Sequence, residues 1–190
     1  MMAIIKSKRD ATASATANYS YSSYFLLFAG AAALVVLDQL TKAVIRGSLA
    51  PSHGIDLPAP LGMLQIVHIS NTGSIFGVLK GTQLYISALS MVVVAFLIII
   101  YKGLSKGLQR LGAILIISGA IGNTIDRLLF GKVTDFIYVR PWPAFNLADT
   151  FLFLGTALLL LSFTTLPRRL LARLPAPARA NRNRKRKNRK

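Results

Sequence analysis

Met91-Val-Val-Val-Ala-Phe-Leu-Ile-Ile-Ile100 is an unbroken apolar run with no charge and no polar side chain. With its flanks, from Leu84 to Tyr101, it approaches the ~20 residues that a helix rising about 1.5 Å per residue needs to cross about 30 Å of hydrocarbon. Three further runs have comparable length: Tyr24 to Ile45, broken by Asp38, Gln39 and Lys42; Leu111 to Phe130; and Ala148 to Leu166. In lipid, an open strand would leave backbone groups unpaired, whereas a helix satisfies them internally. The four runs therefore predict an all-α membrane protein with four transmembrane helices.

Composition supports the same class. Hydrophobic residues make up 53% of the 190-residue chain, yet its formal net charge is +17, a combination rare in a soluble domain of this size. The two properties occupy different segments. Lys6, Lys8 and Arg9 precede the first run, Lys102, Lys106 and Arg110 follow the second, and the chain closes on Arg182-Asn-Arg-Lys-Arg-Lys-Asn-Arg-Lys190. The opposite connections carry only Arg46, Lys80, Lys132 and Arg140. The positive-inside rule then predicts both termini in the cytoplasm. Residues 1–23 lack a core-forming period and read as a disordered cytoplasmic tail, 24–166 as the four-helix domain, and 167–190 as a basic cytoplasmic tail attracted to anionic lipid rather than nucleic acid.

The first run also has features of a cleaved signal peptide, with a basic start and a small-residue site at Ser48-Leu49-Ala50. Asp38, Lys42 and Arg46 lie between the apolar stretch and that site, which favours a retained helix. On the outer side, Gly62-Met-Leu-Gln-Ile-Val-His-Ile69 alternates enough to form a short strand or hairpin, and Val133 to Val139 reads as an extended piece before the Pro141-Trp-Pro143 turn.

Acidic residues number six, all aspartate: Asp10, Asp38, Asp56, Asp126, Asp135 and Asp149. An ionised carboxylate at mid-bilayer costs about 2.5–3.5 kcal/mol even on mild scales, so acids beside apolar runs point to a task. The topology brings Asp38, Asp126, Asp135 and Asp149 to the outer ends of their segments. Two such carboxylates in one pocket share a proton, the ionised one activating water while the protonated one polarises a carbonyl. That is general acid–base hydrolysis of an amide. No cysteine is present, and neither His53 nor His68 stands at ligand spacing with an aspartate, so the sequence points to no thiol nucleophile and no metal.

Each polar residue also has a structural reading. Asp38 and Lys42, four apart on a helix, suit an ion pair. Asp126 beside Arg127 suits helix-end pairing, and Asn71, Asn123 and Asn146 suit caps or interhelical hydrogen bonds. Trp142 and its aromatic neighbours fit an interfacial belt.

Five blocks, in order, resemble the bacterial lipoprotein signal peptidase family, also called signal peptidase II. They are Asp38-Gln-Leu-Thr-Lys42, Asn71-Thr-Gly-Ser-Ile-Phe-Gly77, Gly119-Ala-Ile-Gly-Asn-Thr-Ile-Asp-Arg127, Gly131-Lys-Val-Thr-Asp-Phe136 and Phe145-Asn-Leu-Ala-Asp149. The resemblance implies a cofactor-free aspartyl endopeptidase of the bacterial inner membrane, inhibited by globomycin, with its site on the outer side. Its substrates would be lipid-modified prolipoproteins, cut N-terminal to the diacylglyceryl cysteine, and the enzyme would work as a monomer among membrane lipids. Asp135 and Asp149 match the family's catalytic pair. Asn71, Asn123, Arg127 and Asn146 match pocket-lining positions, and Asp38, Lys42 and Asp126 match residues supporting the site. Ser74-Ile75 stand where small alanines are more usual. A proton-coupled carrier is the rival reading, and it requires acids near mid-bilayer and repeated halves. A membrane scaffold acting through its basic tail is a third.

Overall fold

The computed structural model describes residues 2–58, 63–72, 83–105 and 107–171, with side chains placed for those between 23 and 163. Helix α1 spans Met2–Ser48, α2 Gln83–Ile100 with a 3-10 turn at Tyr101–Gly103, α3 Leu108–Phe130 and α4 Leu147–Leu171. Strands β1 (Gly54–Asp56), β2 (Leu64–Asn71) and β3 (Val133–Val139) lie in the connections. The irregular tail expected over 1–23 differs from the observed backbone, which is helical from Met2. No glycine or proline precedes Gly30 to interrupt an alanine-rich helix. Gly73 to Gly77 of the second sequence block and the basic segment 172–190 lie outside the described residues.

Three described segments are long and apolar enough to cross a membrane: Ser23–Ser48, Gln83–Gly103 and Leu108–Phe130. The apolar part of α4 covers Leu147–Phe163. Burial is arranged oppositely to that of a soluble bundle. Phe25, Phe28, Leu40, Leu89, Phe96, Ile99, Phe153 and Leu160 face outward, while Asp38, Lys42, Asn123, Asp126, Asp135 and Asn146 are buried. An apolar exterior of this extent fits lipid contact.

The most enclosed helix is α3, which packs against α1, α2 and α4. Its contact with α4 is the closest because glycines remove the side chains in between. A Cβ at Gly112 would stand 2.8 Å from the Gly155 carbonyl oxygen, and one at Gly119 would stand 2.3 Å from that of Ala148. Small residues at such crossings let helix backbones approach. The apolar core, with Leu27, Ala31, Val94, Leu97, Tyr101, Ala113, Ile116 and Ile117, occupies the half of the bundle away from the sheet.

Sequence alternation over Gly62 to Ile69 suggested a short strand or hairpin, and strand β2 forms there, as the middle of a three-stranded antiparallel sheet ordered β1-β2-β3. Strand β3 comes from a distant connection, and the long-range pairing of Ile69 with Asp135 and of Asn71 with Val133 leaves no local signature. Gly131 ends α3 in the left-handed conformation (φ 68°), and its N–H returns to the Arg127 carbonyl. The chain therefore turns directly into β3, and Phe145 bridges back to Ile137 before α4 begins. This return sets the N-terminus of α4 beside β3.

Candidate active site

Asn146 and Asp149 cap α4 reciprocally. The Asp149 N–H donates to Asn146 Oδ1 at 3.0 Å, and the Asn146 N–H donates to Asp149 Oδ2 at 3.2 Å. This is the capping-box arrangement written with Asn and Asp, and it uses two otherwise orphaned N–H groups to fix a carboxylate at a helix N-terminus. The other Asp149 oxygen accepts a hydrogen bond from Asn123 Nδ2 at 2.7 Å.

Asp135 lies in β3 and is only 2% exposed. Its Oδ1 accepts from Asn146 Nδ2 at 2.7 Å, and its Oδ2 accepts from Asn71 Nδ2, at the end of β2, at 2.9 Å. Asn146 therefore contacts both aspartates, one through its amide donor and one through the capping box. The Asn146 amide also donates to Asn123 Oδ1 at 3.2 Å, an oxygen that accepts from Lys42 Nζ at 3.0 Å as well. Burial pushes the Asp135 carboxyl up to about 6. The Asn71 bond opposes that rise, the nearby Asp149 charge adds to it, and Asn146 and Lys42 oppose it.

A second carboxylate layer lies beneath the first. Asp38 and Lys42 form the expected i, i+4 pair at 2.9 Å, and both are fully buried. Asp126 was expected to pair at the helix end beside Arg127. Its partners are Arg46, in the last turn of α1, at 3.5 Å, Lys42 at 3.5 Å and the Thr134 N–H at 2.9 Å, because its carboxylate faces α1 and the start of β3. Arg127 lies close enough to Asp149 and Asp135 to interact with their charges, and its buried Nε has no hydrogen-bond partner among the described residues.

Asn71, Asn123, Arg127, Asn146, Asp135 and Asp149 thus meet at one end of the bundle, with Asp38, Lys42 and Asp126 directly below. Sequence reading missed Gln39, Arg46 and Thr134. Gln39 carried a signal, as an amide inside an apolar run. Thr134 takes part through its hydroxyl, which accepts from Arg46 Nη1 at 3.1 Å, and through its backbone N–H, which no side-chain pattern reveals. His68 is buried, with Nδ1 2.7 Å from the Leu49 carbonyl oxygen, and ties β2 to the end of α1. No group of three His or carboxylate residues among those described could hold a metal ion.

An apolar helical bundle with a buried carboxylate–amide cluster at one end defines a membrane enzyme of the aspartic type. Residues 30–165 match the model of a family described as signal peptidase (SPase) II. A lipoprotein signal peptidase of Halothermothrix orenii is 38% identical over 129 residues, covering 67% of this chain and 88% of that protein. One from Caulobacter vibrioides is 40% identical over 146 residues, covering 72% and 85%. A bacterial membrane enzyme solved by the in meso method at 2.3 Å resolution shares the fold, with a TM-score of 0.67 at 24% identity over 80% of this chain and 93% of that one. The chain belongs to the signal peptidase II family. It is accordingly an aspartic endopeptidase acting in the removal of signal peptides from prolipoproteins, and the carrier reading finds no support in these relationships.

Proposed function

We propose that Asp135 and Asp149 are the catalytic dyad of this peptidase, and that it cleaves N-terminal to a diacylglyceryl-modified cysteine. The observation that carries the assignment is Asn146, which holds Asp135 Oδ1 with its amide and Asp149 with its capping box. Asp135, buried and raised to about 6, is suited to carry the shared proton. Asp149, held by Asn123 at the N-terminus of α4, is placed to take the proton of the attacking water.

In this mechanism Asp149 takes a proton from water as the water oxygen attacks the scissile carbonyl carbon. Asp135 gives its proton to the carbonyl oxygen, forming a neutral tetrahedral diol. Collapse of the diol breaks the C–N bond. The proton on Asp149 passes to the departing cysteine nitrogen, and a diol hydroxyl returns its proton to Asp135, restoring the starting state. Arg127, whose Nε has no hydrogen-bond partner among the described residues, and the amides of Asn71 and Asn123 orient the peptide carbonyls.

The chain crosses the bacterial inner membrane four times with both termini inside, and the dyad faces the outer side. The charge asymmetry of the connections supports that orientation. The acyl chains of the substrate remain in lipid beside the exposed apolar helix faces, and the enzyme acts as a monomer without a cofactor. Asn71, Asn123, Arg127 and Asn146 form the binding surface on which globomycin competes, while Asp38, Lys42 and Asp126 support it. The test is cleavage of a diacylglyceryl prolipoprotein in proteoliposomes, with and without globomycin. Wild type should release the signal peptide and be blocked by globomycin, and Asp135→Asn should not release it. Normal release by Asp135→Asn would refute the dyad.

A further inference from the structure

Each aspartate of the dyad is preceded in sequence by a residue whose backbone N–H is held by a buried carboxylate from the layer below. The Thr134 N–H, just before Asp135, donates to Asp126 Oδ2 at 2.9 Å. The Ala148 N–H, just before Asp149, donates to Asp38 Oδ1 at 2.9 Å. The two anchors come from different helices and reach different elements, yet each holds the backbone one residue before a catalytic aspartate. The relative position of the anchors therefore governs that of the dyad.

Two side chains of α1 join the anchors. Lys42 Nζ stands 2.9 Å from Asp38 Oδ2 and 3.5 Å from Asp126 Oδ2. Gln39 Nε2 stands 3.1 Å from Asp38 Oδ2, 3.2 Å from Asp126 Oδ1 and 3.0 Å from the Gly122 carbonyl oxygen. Lys42 supplies the charge that lets two buried carboxylates coexist. Gln39 adds no charge. What it supplies is direction, because its planar amide spans the two carboxylates and is referenced to the α3 backbone at Gly122. That glycine has no room for a side chain, since a Cβ there would lie 2.6 Å from Asp38 Oδ2.

We infer that Gln39 is a positioning residue for the reaction, fixing the separation of Asp135 and Asp149 by bridging the carboxylates that anchor the peptide units before them. The inference rests on the dyad assignment and adds to it a residue that touches neither aspartate. The charged groups around the bridge are Asp38, Lys42 and Arg46 from α1, Asp126 and Arg127 from α3, Asp135 from β3 and Asp149 from α4.

The test uses the full-length enzyme in proteoliposomes with a diacylglyceryl lipopeptide, comparing wild type with Gln39→Met, which keeps length and apolar bulk but removes the donor. A dyad misplaced by a fraction of an ångström should lose kcat by roughly tenfold to a hundredfold while KM stays within about threefold. A wider separation weakens the coupling of the two carboxyls, so the acid and basic limbs of the pH–kcat/KM profile should also draw together by about half a unit or more. Gln39→Leu, which also removes the donor and adds no charge, should give the same changes in the same direction. Thermal unfolding is followed in parallel. If both variants retain wild-type kcat and pH limbs, or if stability falls while the limbs and the kcat-to-KM pattern do not move, Gln39 is merely structural and the inference fails. Asp135→Asn separates the two levels. Its continued activity overturns the dyad itself, whereas its inactivity alongside an unshifted Gln39→Met profile overturns the positioning role alone.

Discussion

Asn71 and Asn146 act on Asp135 with opposite consequences to its burial, and this balance can be measured. Desolvation favours the neutral carboxyl, whereas both amides donate to it and favour the charged form. With the group at about 6, the monoprotonated dyad is present below that pH and is lost as pH rises through it. kcat/KM, which reports the free enzyme, should therefore show a basic limb near pH 6. Asn71→Ala removes a donor to the charged form, so Asp135 should rise further and the limb should move upward by about half a unit to one unit. A limb that stays in place or moves down would show that Asp135 is not the proton carrier. Asp135→Asn and Asp149→Asn should each lower kcat by at least ~10²-fold, the scale of a lost general acid or base, and single-turnover cleavage would show it. Combining them should cost little beyond the worse single change, since the dyad acts as a unit.

Between the helices, the α3–α4 crossing connects packing to chemistry. Gly119 leaves no room for a Cβ, because the Ala148 carbonyl oxygen and Leu152 fill that space. Gly119→Ala should push the first turn of α4, with Asn146 and Asp149, away from Asn123. The expected cost is about 1–3 kcal/mol in stability, together with a loss of kcat, read by thermal unfolding and turnover in the same membranes. Gly112→Ala meets a similar obstacle at Gly155, in the half of the bundle away from the site, and should lower stability with a smaller effect on kcat. A Gly119→Ala enzyme with wild-type stability and turnover would overturn this account of the crossing. These elements were unequally legible in sequence. The apolar runs announced α2 and α3 because hydrocarbon thickness sets span length. Val133 to Val139 announced β3 through its β-branched residues. The pairing of β2 with β3 was hidden because it is non-local, and the helical backbone over 2–23 was hidden because its polar Ser and Thr content outweighed its alanines in the reading. The aspartates and asparagines were legible as costly groups beside lipid, while the backbone N–H groups of Thr134 and Ala148, which carry no side-chain signal, were not.

At the scale of the whole molecule, polar side chains gather at one end and apolar ones cover the sides, so function and bilayer position are set by the same distribution. The site end carries the sheet, the end of α1, the C-terminus of α3 and the N-terminus of α4. At the far end, Arg110 Nη1 donates to Ser23 Oγ at 3.1 Å, and Lys102 stands 5.3 Å from the Tyr24 ring centroid. In the proposed orientation the positive-inside rule would place these basic residues cytoplasmically and the dyad at the outer leaflet. The absence of cysteine makes the orientation directly testable, because any introduced thiol is the only one in the chain. Trp142, exposed in the turn after β3, and Ser105, exposed between α2 and α3, mark the two ends. With Trp142→Cys, a membrane-impermeant maleimide should label right-side-out vesicles and fail on inverted ones. With Ser105→Cys the pattern should reverse, and detergent should equalise the two. Labelling of both positions from one side, or the opposite polarity, would overturn the orientation and with it the outer-leaflet placement of cleavage.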